Sequence, residues 1–239
     1  MKIVHAMVAT AAVVAVGCGD AGYVSTGVEA ASVQANPNPG VAPIGSRPYG
    51  YSYGEWEARW WQWASRIPVE RNPILDSTGE HCAEGQDGPV WFLAGNYGGV
   101  TRRECTVPAG KSLFFPLING VWWQTLQDAP HTVEAMREEA RGFLGTPTLA
   151  ATVDGRSVLT PARYYEETPV FTSYFPTNNA MGFDATWLPV EDGMLRCDQT
   201  VDAGYALMLH PLSAGDHTVR FTARAGWGEL DVTYTLHVR

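Results

Sequence analysis

The chain predicts a mainly β protein: an antiparallel β-sandwich, of jelly-roll or immunoglobulin-like type, with two covering helices. Three observations carry this. Short apolar runs separated by Pro, Gly and Asn turns recur from Pro89 to the end of the chain. In the closing segment Val232, Tyr234, Leu236 and Val238 alternate with Asp231, Thr233, Thr235 and His237, the period of a half-buried strand. Helical periodicity is confined to two stretches, one rich in Trp and one rich in charge.

The first residues read as a leader. Met1-Lys-Ile-Val-His carries one basic residue, and the apolar run Ala6–Val16 is too short to span a bilayer. Ala15-Val-Gly-Cys18 is like a bacterial lipobox, so residues 1–17 are expected to be a signal peptide and Cys18 the lipid-bearing residue. Ala15-Val-Gly17 also suits an ordinary signal peptidase, which would leave a free secreted protein. Residues 18–50 show no apolar period and centre on Asn36-Pro-Asn-Pro-Gly40, the composition of a flexible tether. The expected location is therefore the bacterial cell envelope, on the outer membrane where there is one, with residues 51–239 as a single domain.

Within that domain Trp56, Trp60, Trp63 and Ile67 share one helical stripe, while Glu55, Arg59, Gln62 and Arg66 lie off it. Pro68 ends the helix. Buried Trp side chains bring roughly 150–250 Å² each, so this helix is expected to be a principal core element. Trp61 falls about 140° from Trp56, at about 100° per residue. Either the Tyr49, Tyr51 and Tyr53 lead-in folds over it, or its ring is a platform for a ligand.

The motifs Gly54-Glu-Trp, Trp60-Trp-Gln-Trp, Ile67-Pro, Asn72-Pro and Pro116-Leu-Ile-Asn119 resemble those of an uncharacterised family of secreted bacterial proteins and lipoproteins. The likeness continues through Asp154-Gly155 to Tyr205–Val238. It implies one secreted domain, and it implies no activity, substrate or catalytic residue.

Beyond the Trp helix, Pro89–Ala94, Arg102–Val107 and Lys111–Ile118 read as a three-stranded meander turned at Asn96-Tyr-Gly-Gly99 and Pro108-Ala-Gly110. Thr132 is placed to cap a second helix, Val133 to Leu144, whose apolar stripe is Val133, Met136, Ala140 and Phe143 or Leu144. Asp154-Gly155 between two apolar runs is the strongest hairpin signal. Weaker strands follow over residues 160–200, then clearer ones from Tyr205, His217 and Val232 onward.

A net charge of −9 with only 16 Lys and Arg argues against nucleic acid and anionic headgroups as partners, leaving membrane contact to the N-terminal lipid. With Cys18 lipidated, Cys82, Cys105 and Cys197 allow three single bridges. Cys82–Cys105 is expected, stapling a loop to a neighbouring strand, with Cys197 free or intermolecular.

No G-x-S-x-G, P-loop, H-E-x-x-H or dinucleotide motif occurs. His81, His131, His210, His217 and His237 are too scattered to bind zinc. Asp184, Glu191, Asp192, Asp198 and Asp202 form an acidic zone expected to be solvated loop charge, with Ca²⁺ the alternative reading and no cofactor or metal the expectation. Glu55 or Glu57 on the Trp helix could meet a distant carboxylate, as in glycoside hydrolysis. What stands out is aromatic: nine Trp and ten Tyr. Trp61, Trp122, Trp123 and Trp227 lie outside the core stripe, and with Asn119 they are the candidate ligand-binding residues, since ring faces stack on sugars and amides meet hydroxyls. The expected function is a non-catalytic, envelope-tethered module that binds a glycan or an envelope protein. The competing reading is an extracytoplasmic hydrolase with a carboxylate or calcium-assisted site.

Overall fold

A computed structural model of the chain describes residues 36–38 and 40–239. The expected leader, Cys18 and the first part of the expected tether lie outside the described residues. The compact unit begins at Asn36 rather than at residue 51. Asn38 explains the earlier start: its side-chain amide donates to the Leu159 carbonyl at 2.9 Å and accepts from the Leu159 N–H at 2.7 Å. Val41 and Ala42 are buried beside it, so the end of the expected tether is part of the core.

Helix α1 (Tyr53–Arg66) starts at a capping box in which Ser52 accepts from the Glu55 N–H and Glu55 accepts from the Ser52 N–H. It stops where Ile67 turns extended ahead of Pro68. Helix α2 (Val133–Leu144) is capped by Thr132 and buries Met136, Ala140 and Leu144, leaving Phe143 largely exposed.

The strands are β1 (Val90–Phe92), β2 (Gly99–Val107), β3 (Ser112–Trp123), β4 (Thr148–Val153), β5 (Arg156–Ser157), β6 (Tyr165–Glu167), β7 (Phe171–Phe175), β8 (Val190–Glu191), β9 (Met194–Leu209), β10 (Gly215–Ala225) and β11 (Gly228–Val238). One sheet runs β1-β3-β9-β6, with β7 and β8 also on β9, and the other runs β2-β11-β10-β4-β5. The fold is thus mainly β with two helices. Phe115 of β3 stacks on Phe221 of β10 with ring centres 5.0 Å apart, linking the two sheets through the core. Asp154 and Gly155 both take positive φ and close the β4–β5 hairpin as expected.

Two strand pairs depart from the antiparallel expectation. β1 lies parallel to β3, and β2 lies parallel to β11 in the other sheet. The expected meander therefore does not form. β3 is apolar on both faces and needs cover on both, whereas β2 exposes Arg102, Glu104 and Thr106 and buries Arg103, Cys105 and Val107. A half-polar strand is satisfied at a solvated sheet edge and not beside a doubly buried one.

The Cys82–Cys105 disulfide is present, tying the loop after α1 to β2. Cys197 is free and buried in β9.

Candidate functional site

β3 and β9 are the platform on which the site is built. Their register pairs Asn119 with Gly204, Val121 with Asp202 and Trp123 with Thr200. Because side chains alternate along a strand, these residues share the sheet face that meets α1, and Trp122 faces the other way. Neighbouring tryptophans are thereby separated: Trp123 packs edge-on against Trp61 at 5.3 Å, and Trp122 packs against His131 at 5.3 Å.

A cavity of about 460 Å³ opens against this face. That volume lies within the range of small-molecule sites. Its inner wall is Trp60 and Trp61 of α1 with Pro116, Leu117, Ile118, Asn119, Val121 and Trp123 of β3. Ile74, the Gly95–Tyr97 loop, Met181 and Leu230 complete the sides. At the mouth Phe143 of α2 and Trp227 of the β10–β11 turn stack with ring centres 5.2 Å apart, and they are 52% and 41% exposed. Tyr97 donates its hydroxyl to Met181 Sδ at 3.3 Å across another part of the rim.

The loops that form the sides are held by Arg103. Its buried guanidinium donates to the carbonyls of Ile74, Asp76, Ala94 and Gly95 and to the Tyr234 hydroxyl. Five donors in a rigid fork suit this convergence of backbone acceptors.

Of the candidate residues, Trp61, Trp123, Trp227 and Asn119 line this one cavity, and Trp122 does not. Trp61 is not an open platform, being 4% exposed. Nor does the tyrosine lead-in cover it: Tyr49 and Tyr51 pack on Trp56 instead. Trp61 is held by Trp60, Trp123 and Asp202, with its indole N–H donating to Asp202 Oδ1 at 3.0 Å.

Behind this wall lies a carboxylate pair. Glu57 stands one helical turn before Trp61 and meets Asp202. The two are 1% and 0% exposed. Burial pushes the Glu57 carboxyl up to about 8, with Glu166 adding in the same direction. Burial and the charge of Glu57 hold Asp202 well above the usual carboxylate range. At neutral pH the pair therefore keeps at least one proton, as two carboxyls in contact must. Asn119 joins the pair to the cavity, since its amide faces Glu57 while the residue lines the wall. Gly204 makes the approach of Glu57 to the sheet possible: a Cβ there would lie 2.8 Å from both Glu57 Oε1 and Asn119 Cβ.

The acidic zone is dispersed by the fold. Asp202 is in the middle of β9 and buried, so it is not loop charge. Glu191 and Asp198 both pair with Arg196, and Asp184 caps a turn through Thr186. Among the described residues no three His, Cys, Asp or Glu side chains are placed to hold a metal ion.

Ser213, His217 and Asp154 resemble a nucleophile, base and orienting acid, but the ring is engaged on both sides. His217 donates from Nδ1 to Asp154 at 2.8 Å and from Nε2 to the Ser213 carbonyl at 2.9 Å, nearer than the Ser213 hydroxyl at 3.3 Å. Asp154 raises the His217 pKa, and with both ring nitrogens engaged by Asp154 and the Ser213 carbonyl the ring has no free nitrogen to act as a base for Ser213.

Sequence reasoning assigned no function to Tyr97, Phe143 or Met181 and did not pair Glu57 with Asp202. A signal for the pair was present: an Asp inside an otherwise apolar strand run contradicts local preference and demands a partner. No family model matches the chain, and no curated protein or solved structure is significantly similar to it.

Proposed function

We propose that the protein is a non-catalytic binding module, tethered to the cell envelope through Cys18, that takes a compact and largely apolar ligand into the cavity between α1 and β3. The observation that carries this is the cavity itself, about 460 Å³ and walled by Trp61, Trp123 and Trp227 with few polar groups. A hydrocarbon or aromatic group entering it would exchange water for ring faces, worth roughly 25 cal/mol per Å² of apolar surface covered. A sugar fits this lining less well. Each hydroxyl taken from water needs a partner, and the wall provides mainly Asn96 and Asn119. The carboxylate form of the hydrolase reading asks Glu55 or Glu57 to meet a distant carboxylate at a substrate site; Glu57 lies beside Asp202, and none of the three lines the cavity.

Titration with the apolar fluorophore N-phenyl-1-naphthylamine tests the proposal. Saturable enhancement and a blue shift are expected, abolished by Trp123→Ala in protein that remains folded by circular dichroism. Absence of saturable binding, or capture of oligosaccharides on a glycan array in place of the fluorophore, would sink it.

A further inference from the structure

We propose that the Glu57–Asp202 pair is a proton-operated latch for the cavity: protonated, it holds Trp61 and Asn119 in the ligand-accepting wall, and deprotonated, it releases them. The proposal rests on the binding role assigned to the cavity. Three contacts support it. Trp61 lines the cavity and donates to Asp202 through its indole N–H. Asn119 lines the cavity and faces Glu57. Gly204 leaves no slack, since Glu57 Oε1 and Asn119 Cβ both crowd the position a side chain would occupy there.

Among the described residues, no cation acts on the pair to absorb a second negative charge. β3 and β7 carry no acidic or basic side chain. On β6, Glu166 adds like charge, while Glu167 is turned to Arg137 and Arg141 of α2. On β9, Arg196 and Asp198 pair with each other. On α1, Glu55 is paired with Arg47, Arg59 lies over the Tyr51 ring and Arg66 over Tyr174. Full ionisation would therefore put two uncompensated charges in contact inside the core, and the relief is separation of α1 from β9 at this point. Trp61 is hydrogen-bonded to Asp202 and Asn119 lies beside Glu57 at Gly204, so both are displaced when the pair separates.

The test measures fluorophore affinity across about pH 5.5 to 8.5, alongside the indole ¹⁵N–H resonance of Trp61, assigned by its absence from Trp61→Phe. Affinity of the wild type should fall about tenfold or more over that range, and the Trp61 resonance should titrate in step. Glu57→Gln, which keeps the shape and cannot ionise, should flatten both, with Asp202→Asn as the second variant if Glu57→Gln fails to fold. A flat Trp61 resonance in the wild type, or binding that ignores pH, overturns the latch while leaving the binding role standing. No binding at any pH overturns both.

Discussion

Trp61 and Asp202 are 141 residues apart in sequence and joined by a 3.0 Å hydrogen bond from the indole N–H to Oδ1. The bond ties the principal helix to the middle of the longest strand. Trp61→Phe keeps a ring of similar position but leaves Asp202 Oδ1 without its donor, and it should cost about 1–3 kcal/mol. Trp61→Ala and Trp60→Ala should each cost about 3–5 kcal/mol by opening a cavity in the core. Urea unfolding checks all three; a loss below about 1 kcal/mol for Trp61→Ala would mean that the ring is not buried.

Stability should be greatest in mildly acidic solution. Glu57 titrates at about 8 in the fold against 4.5 ordinarily, so the folded protein holds a proton that the unfolded chain has lost across that window. Stability from this group is complete at the acidic end and is lost as pH rises toward 8. The raised pKa values of His217 and His237, set by hydrogen bonds to Asp154 and to Asp216 and Glu104, act in the same direction above about pH 6.5. Asp76, Asp154, Glu167 and Asp231 have lowered pKa values, and their contribution is lost on acidification below about pH 4. Melting temperature should therefore peak near about pH 5 and fall by pH 8.5, with Glu57→Gln flattening the alkaline side. Equal stability of the wild type at both values would contradict the protonated pair.

Arg103→Lys should loosen the cavity more than its charge conservation implies. A lysine ammonium has three donors on a flexible stem and cannot reach four carbonyls and a hydroxyl at once. The carbonyls left without a partner should cost about 2–4 kcal/mol, read from denaturant midpoints, with faster amide exchange at Gly95 and Asn96. Unchanged exchange there would show that the loop holds itself.

Gly204→Ala tests the closeness of Glu57 to the sheet. The new Cβ would fall 2.8 Å from Glu57 Oε1 and 3.1 Å from the Ile118 carbonyl oxygen, distances that force a shift. A loss of about 1–3 kcal/mol is expected, and it should be only partly relieved in the Glu57→Ala background, where Glu57 Oε1 is gone but Asn119 Cβ still lies 2.8 Å from the new Cβ. Equal losses in both backgrounds would place the strain elsewhere.

Local pattern carried far in this chain. Ser52 to Arg66 is helical because its stripe, cap and terminating Ile67-Pro agree, and Asp154-Gly155 closes its hairpin because both residues tolerate positive φ. The alternation of Val232 to Val238 reads directly as a half-buried strand, and the Cys82–Cys105 bridge follows a loop next to a strand. Trp61, Asn119, Trp123 and Trp227 lie along one cavity, and Trp122 lies on the other face of β3 for a local reason, the alternation of neighbours along a strand.

What the sequence by itself determined are the features set by neighbours a few residues apart: the two helices, the hairpin and the strand faces. Tertiary structure alone decided which strands became neighbours, so that β1 and β2 entered different sheets and Asp202 moved from presumed solvent into the core beneath α1. The physical reason is that periodicity records which side of an element is apolar but not which surface will cover it. A carboxylate's environment is the sum of groups brought together from distant parts of the chain, and here Glu57, Asn119 and Asp202 meet only after α1 docks on β3 and β9.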